Sequence, residues 1–183
     1  TSDRHLPRGT VAAWEAAFLG VAGLVVLAGT AVMLNPLCVA FLPLVIPILV
    51  LYPYAKRYTW GCHLVLGAAQ FFAPFGGWLA VTGRIEAGAI LLGAAAGLWV
   101  AGFDVIYALL DVEFDRAHGI HSMPADWGPR LGLAASRLMH AAVPVLLGAM
   151  YVESAMGPYF LGGVAAAAAL LAAQHAVVSP REA

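Results

Sequence analysis

Six apolar stretches, each close to the length that crosses a lipid bilayer, dominate this sequence. A membrane-spanning helix needs about 20 consecutive, mostly apolar residues. The stretches lie at about residues 12–34, 36–52, 63–81, 87–109, 133–152 and 157–178. Helices are the expected form, because backbone polar groups in the hydrocarbon must pair within their own segment. We therefore predict an all-α fold, a polytopic transmembrane bundle with about six spans.

The composition agrees with a membrane protein and excludes several other classes. Hydrophobic residues make up 62% and charged residues 10% of the 183 positions, whereas about a quarter of a soluble domain is charged. A disordered chain would be poor in apolar residues. The formal net charge of −1 provides no basic surface, so nucleic acid is not an expected partner. Cys38 and Cys62 lack metal-ligand spacing, and we expect them to fill space.

The basic residues are distributed unevenly between the two sides of the predicted bundle. With six spans, the chain ends and the segments at 53–62 and 110–132 share one side, and the opposite side carries only Arg84. Because Lys and Arg concentrate in cytoplasmic loops, we predict that the chain ends and both segments are cytoplasmic. The basic residues on this side are Arg4, Arg8, Lys56, Arg57, Arg116, Arg130, Arg137 and Arg181.

The fourth apolar stretch ends in an acidic segment, GFDVIYALLDVEFDRAHGIHSMPADWG at 102–128. Acids are rare in membrane spans and usually face a cavity or a partner. If one helix continues through the segment, we predict a stripe of three carboxylates and one phenol running from the membrane to the cytoplasmic surface. Its members share an arc of about 80° and are Asp104, Tyr107, Asp111 and Asp115.

Asp111 and Asp115, one helical turn apart, form a candidate cation site. Two carboxylates at this spacing repel one another, and a bound cation removes that cost. Magnesium suits the pair, because it takes one or two carboxylates and completes its shell with water and phosphate oxygens. The alternative is a solvated helix end with scattered acids, and the position of Asp104 near membrane depth favours the metal site over it.

A basic and aromatic segment, YPYAKRYT at 52–59, lies on the same predicted side. Tyr52 and Lys56 are one turn apart, and Arg57 adds a second cation. Such residues also serve as anchors and topology signals at a membrane interface. Opposite an acidic stripe that holds a metal, the same cations can clamp a diphosphate. His121, in the acidic segment, is a further candidate for substrate contact, and the other histidines are expected to be interfacial or packing residues.

These segments resemble those of a known family, the UbiA superfamily of intramembrane aromatic prenyltransferases, and most closely its 4-hydroxybenzoate polyprenyltransferase group. Members of the family have about nine helices and two aspartate-rich cytoplasmic motifs that hold magnesium against a prenyl diphosphate. The second motif maps onto Asp111 and Asp115, and the YxxxK motif maps onto Tyr52 and Lys56. The resemblance is carried by RHLPRG at 4–9, YPYAKRYT at 52–59, residues 104–128 of the acidic segment and, more weakly, QHAVVSP at 174–180.

The resemblance also sets an expectation for the extent of the domain. The family's first aspartate motif precedes the stretch that RHLPRG resembles, and its ninth helix follows the stretch that QHAVVSP resembles. Neither feature is in this sequence. The resemblance therefore implies that residues 1–183 form a single, partial prenyltransferase-like domain with the middle six helices of the fold.

The implied reaction is magnesium-dependent transfer of a polyprenyl group from polyprenyl diphosphate to an aromatic acid similar to 4-hydroxybenzoate, in the biosynthesis of ubiquinone or another respiratory quinone. Magnesium on the two-aspartate pair, with Lys56 and Arg57, would stabilise the leaving diphosphate. Tyr52 and Tyr107 would present π-faces to the allylic cation. Asp104 would steady that cation, orient the acceptor or take its ring proton. The implied location is an inner membrane of the bacterial type, with the lipid bilayer accommodating the isoprenoid tail.

Several alternatives stay open. The segment IHSMPADWG at 120–128 resembles a branch of the family that acts in a menaquinone route of the futalosine type, and a non-catalytic fragment of such an enzyme fits the same residues. Membrane CDP-alcohol phosphotransferases also use magnesium and a DxxxD motif, but the DG…AR arrangement that precedes it there is absent from this sequence. A transporter with Asp104 as an ion site would be expected to show internal repeats, and none is visible.

Overall fold

A computed structural model describes residues 8–154 and 156–178 of this chain. Helices are the regular structure of these residues, and six of them are long and apolar enough to cross a membrane: α1 to α4, α7 and α8. The all-α, multi-pass membrane fold is thereby confirmed. In chain order the helices are α1 (Ala13–Leu34), α2 (Pro36–Ala55), α3 (Cys62–Thr82), α4 (Ala87–Ala108), α5 (Val112–Ala117), α6 (Met123–Trp127), α7 (Pro129–Glu153) and α8 (Pro158–Val177).

The first and last of the segments that carry the family resemblance lie partly outside the described residues. Of RHLPRG only residues 8–9 are described, and of QHAVVSP only residues 174–178. Arg4 and Arg181, which contribute to the predicted orientation, also lie outside the described residues. The seven predicted site residues all lie within them.

The start of α2 shows how local signals set the helix boundaries. Pro36 takes the first helical position, and the side-chain oxygen of Asn35 accepts a hydrogen bond from the N–H of Cys38 at 3.1 Å, a standard N-terminal cap. The Asn35 amide also donates to the carbonyl of Leu79 at 2.8 Å, which ties α2 to the end of α3. Cys38 and Cys62 both have free thiols, and Cys62 is buried.

The fifth spanning helix, α7, begins earlier than its hydropathy alone predicts. It starts at Pro129 rather than near residue 133. Gly128 has a φ of +91°, a conformation that glycine adopts readily, and Pro129 supplies the fixed φ that suits a first helical residue. The polar first turn of α7 therefore belongs to the helix, although it adds nothing to the apolar stretch.

The spanning helices pack in chain order, each against the next. α1 contacts α2, α2 contacts α3, α3 contacts α4, α4 contacts α7 and α7 contacts α8, and the two interfaces of α4 are the most extensive. Small residues fill many of the buried positions of α4 and let its neighbours approach closely. They include Gly88, Ala89, Gly93, Ala95, Gly97, Ala101 and Gly102. α4 is thus the central helix, and the site described below lies at its C-terminal end.

Backbone contact between α3 and α4 occurs at Gly67 and Gly97. A Cβ atom added at Gly67 would lie 2.7 Å from the carbonyl oxygen of Gly97, and one added at Gly97 would lie 2.6 Å from the carbonyl oxygen of Gly67. Because both obstacles are backbone atoms, they cannot rotate away. Any side chain at these positions therefore forces the two helices apart.

Replacing Gly67 by Ala is expected to lower the free energy of unfolding by about 1–3 kcal/mol, the usual cost of overpacking. Gly77 lies in the same helix with nothing within 4 Å of an added Cβ atom, so Gly77→Ala is the matched control. We expect it to leave stability unchanged or to raise it, since alanine favours helix. Thermal unfolding in detergent checks both variants, and equal melting temperatures would contradict the close packing of α3 on α4.

Candidate active site

The acidic segment is not one continuous helix, and this corrects the predicted stripe of carboxylates. α4 ends at Ala108, residues 109–111 form a turn, and α5 starts at Val112. The N–H groups of Leu109, Leu110 and Asp111 bond to carbonyls only three residues back, so the last turn is tightened and the chain leaves the helix axis. The side chains after Ala108 are therefore not aligned above Asp104 on one helical face.

An ion pair joins the basic segment to the acidic segment. Nζ of Lys56 lies 3.5 Å from Oδ2 of Asp115, whose side chain is only 3% exposed, whereas the Lys56 side chain is 35% exposed. The backbone reinforces this junction, since the N–H of His121 donates to the carbonyl of Lys56 at 2.7 Å. The structure thus brings the two predicted segments together, and the partly exposed Lys56 side chain is accessible to a ligand.

Asp104 is paired with a buried histidine of the neighbouring helix. Nδ1 of His63 lies 2.6 Å from Oδ2 of Asp104, and the N–H of Met123 donates to Nε2 of His63 at 3.2 Å. Because Nε2 accepts this bond, the ring proton lies on Nδ1 and is donated to Asp104. His63 has 0% exposure, whereas 31% of the Asp104 side chain is exposed. The Asp104 carboxylate is thus bound to His63 on its buried side, and its exposed side is accessible to a ligand.

The role of His63 at this site was not predicted, since the sequence suggested a packing or interfacial residue. It does pack, because it is buried in the first turn of α3. One sequence signal pointed to more. An acid within a span is expected to have a polar partner, and His63 lies at the start of the preceding span, at the same end of the bundle as Asp104.

Asp111 and Asp115 occupy the N-cap and the first turn of α5. The N–H of Asp115 donates to the carbonyl of Asp111 at 2.7 Å, so the predicted one-turn spacing is kept. The Asp111 side chain is exposed and makes no capping hydrogen bond. Within residues 8–154 and 156–178 no group of three His, Cys, Asp or Glu side chains is placed to hold a metal. Two carboxylates nevertheless fit magnesium, because water and phosphate oxygens complete its shell.

The other predicted site residues are exposed near the same end of the bundle. The Arg57 guanidinium lies over the Tyr54 ring, 5.8 Å from its centroid, and Tyr52 is in the last helical turns of α2. The Tyr107 ring packs against Phe103 with centroids 5.6 Å apart. It also lines a cavity of about 400 Å³ between the ends of α4, α7 and α8. The side chains of Arg57, Tyr52 and Tyr107 are accessible to a ligand, but they do not form the contacts described above between the basic segment and the acidic segment.

The α5–α6 loop is held against the start of α3 by further contacts. The rings of Trp60 and Trp127 lie 4.4 Å apart between centroids, and Sγ of Cys62 lies 3.6 Å from the carbonyl oxygen of His121. The His121 ring, the further candidate for substrate contact, is 3.0 Å from the carboxylate of Asp126. The loop and α6 are therefore fixed against Trp60 and the start of α3, and the His121 N–H joins the loop to the basic segment through the Lys56 carbonyl.

Known proteins match the whole of this chain. The model of the UbiA prenyltransferase family matches residues 1–183. A 4-hydroxybenzoate octaprenyltransferase from Alkalilimnicola ehrlichii is 32% identical over 99% of this chain and 61% of its own length. Another from Aromatoleum aromaticum is 34% identical over 100% of this chain and 62% of its own length. The chain thus spans about three fifths of the length of these curated relatives.

Two further matches extend the comparison. A 4-hydroxybenzoate solanesyltransferase from Synechocystis sp. is 38% identical over 63% of this chain and 40% of its own length. Among solved structures, the apo structure of a UbiA homolog from Aeropyrum pernix K1 matches with a TM-score of 0.87 and 37% identity, over 96% of this chain and 66% of that chain. The helices described above are therefore arranged as in that homolog.

Proposed function

This chain belongs to the UbiA prenyltransferase family, and from that premise we propose that it transfers a polyprenyl group from a polyprenyl diphosphate to an aromatic acid in the biosynthesis of a respiratory quinone. The names of its curated relatives specify 4-hydroxybenzoate as the acid. The observation that best supports the proposal is the junction of Lys56 and Asp115 beside the exposed Asp111, at one end of a membrane bundle. In this proposal the cation contacts the diphosphate, and the two carboxylates hold its metal ion.

The proposal includes an orientation for this multi-pass membrane protein. Residues 1–183 act as one domain in an inner membrane of the bacterial type, and the site faces the cytoplasm. The distribution of basic residues supports this orientation, since Lys56 and Arg57 share a side with most of them and Arg84 lies at the other end.

Lys56 and Arg57 are proposed to bind the diphosphate. Breaking the bond between the allylic carbon and the diphosphate oxygen leaves negative charge on the diphosphate, and an ammonium and a guanidinium group stabilise that charge. The exposed part of the Lys56 side chain supports this role. Asp111 and Asp115 would hold magnesium, which supplies further positive charge to the leaving group when it is bound.

Asp104 is proposed to act on the aromatic acceptor. Its carboxylate is exposed on one side and held by His63 on the other, so it can orient the acceptor hydroxyl or take the ring proton as the new carbon–carbon bond forms. Tyr52 and Tyr107 are proposed to present their π-faces to the allylic cation. The isoprenoid tail lies among the apolar helices or passes sideways into the bilayer.

The test is prenyl transfer in proteoliposomes with magnesium, a polyprenyl diphosphate and 4-hydroxybenzoate. It is run with this chain and with the chain extended by any flanking sequence that its gene encodes. We expect prenylated acid and diphosphate in equal amounts, and loss of both when magnesium is chelated. No transfer to any aromatic acid by either form would contradict the proposal and favour a non-catalytic role.

A second acceptor is proposed because residues 120–128 resemble the menaquinone branch of the family. Supplying 4-hydroxybenzoate together with aromatic acids of a menaquinone route in one reaction separates the two forms of the proposal. The acid with the higher kcat/KM is consumed first, and mass spectrometry of the prenylated products identifies it.

A further inference from the structure

His63 is fully enclosed, yet each of its ring nitrogens makes a hydrogen bond to a different part of the site. Nδ1 donates to the Asp104 carboxylate of α4, and Nε2 accepts from the backbone N–H of Met123, the first residue of α6. A buried imidazole without partners would be destabilising. Here both nitrogens are satisfied, so the position and direction of the ring are determined.

We propose that His63 is a positioning residue that fixes the Asp104 carboxylate for the aromatic acceptor. The proposal rests on the proposed function, because Asp104 acts on the acceptor only if the chain takes part in prenyl transfer. A single hydrogen bond of 2.6 Å from a buried donor restricts the rotation of the carboxylate. It leaves the exposed side of that carboxylate free for a substrate.

His63 also links the proposed acceptor side of the site to its diphosphate side. Met123 is two residues after His121, whose N–H donates to the carbonyl of Lys56. Asp104, His63 and the loop are therefore connected to the cation that faces Asp115. If this connection is lost, we expect the acceptor and the allylic carbon to be misaligned, and a misplacement of about 1 Å costs on the order of 100-fold in rate.

Two substitutions separate the loss of the hydrogen bonds from the loss of the side chain. His63→Leu removes both bonds, whereas His63→Gln retains an amide donor for Asp104 and an amide oxygen for Met123. We expect His63→Leu to lower kcat about 100-fold, with the KM for the polyprenyl diphosphate unchanged within about twofold. We expect His63→Gln to recover most of kcat. Equal kcat values in the two variants would overturn the proposal.

A double-mutant cycle tests whether His63 acts through Asp104. If it does, His63→Leu introduced into the Asp104→Asn variant lowers kcat by less than about threefold, because residues that act as a unit are not additive. If the two losses multiply instead, His63 has an independent role and the proposal is wrong.

His140 provides the matched control for removing a buried histidine. It is 2% exposed and also bonds through both nitrogens, to the Trp99 carbonyl at 3.0 Å and to the His175 ring at 2.9 Å. It packs between α4, α7 and α8, outside the proposed site. We expect His140→Leu to lower the melting temperature while kcat per folded protein stays within about twofold of the wild type. A loss of kcat equal to that of His63→Leu would contradict a specific role for His63.

¹⁵N NMR of the histidine side chains supplies a measurement that does not depend on turnover. The His63 signals are assigned by their absence in His63→Gln, and we expect a proton on Nδ1, none on Nε2, and a changed Nδ1 shift in Asp104→Asn. A proton on Nε2 would overturn the proposal whether or not the chain is active. The expected tautomer in a wild type without transfer activity would contradict the proposed function and leave the His63–Asp104 link standing.

Discussion

Asp115→Asn is expected to lower the rate of prenyl transfer at least about 100-fold at every magnesium concentration, because removing one preorganised charge at a reacting centre has effects of this size. The buried Asp115 carboxylate is both the partner of Lys56 and a proposed magnesium ligand. Asn has nearly the same volume, so the change removes charge rather than packing. Asp111→Asn, at the exposed position, is expected to raise the magnesium concentration needed for half-maximal rate.

The control for both substitutions lies in the same short helix. Glu113 is an exposed acid between the two aspartates, and Glu113→Gln removes the same charge from α5. Initial rates are measured across a range of magnesium concentrations, with thermal unfolding to confirm that each variant is folded. Full activity in Asp115→Asn, or an equal loss in Glu113→Gln, would show that the aspartate pair is not the metal site.

Lys56→Gln is expected to raise the KM for the polyprenyl diphosphate about tenfold to a hundredfold, which corresponds to the about 1.5–3 kcal/mol of a hydrogen bond to a charged group. The KM for the aromatic acid should change little. Initial rates with each substrate varied in turn separate the two effects. Arg84→Gln removes a cation beyond the far end of α3 and is expected to change neither constant.

The Lys56 substitution has a second effect, because it leaves the buried Asp115 carboxylate without its cation, which costs folding stability. The double variant Lys56→Gln, Asp115→Asn removes both charges and is expected to recover the melting temperature but not the rate of transfer. If the double variant recovers the rate as well, the pair serves the fold alone. A raised KM for the aromatic acid only would also contradict the proposed diphosphate contact.

The spanning helices were predictable because hydropathy over about 20 residues sums many small contributions. The predicted 63–81 and 87–109 stretches agree with α3 and α4 to within one residue at each end. The start of α7 differs because its first turn is polar, and Gly128 with Pro129, rather than hydropathy, starts the helix. Apolar length predicts what crosses the membrane, whereas caps and turns set where a helix begins.

The break after Ala108 was not predictable from local sequence. Leu109 and Leu110 are good helix formers, and no glycine or proline marks the turn. The break follows from tertiary packing, since Val112 and Asp115 are buried in α5. Their burial requires a change of direction that periodicity cannot show.

The proximity of the basic segment and the acidic segment was predictable, but the specific residue pairs at the site were not. Complementary charge and a shared side of the membrane indicated that 52–59 and 104–128 face each other. The pairing of Lys56 with Asp115 and of His63 with Asp104 depends on the positions of α5 and of the first turn of α3 in the folded bundle. The sequence therefore predicted which segments form the site, whereas the contacts between individual residues could be identified only from the structure.

The sequential packing of the spanning helices has a consequence for biogenesis. Each span after the first contacts the span made just before it, so the bundle can assemble during insertion, without long searches among distant partners. A carboxylate near the lipid is unfavourable until it is paired, and Asp104 meets His63 as the fourth helix docks on the third. The polar pair thus favours the correct docking of α4 on α3 while the bundle assembles.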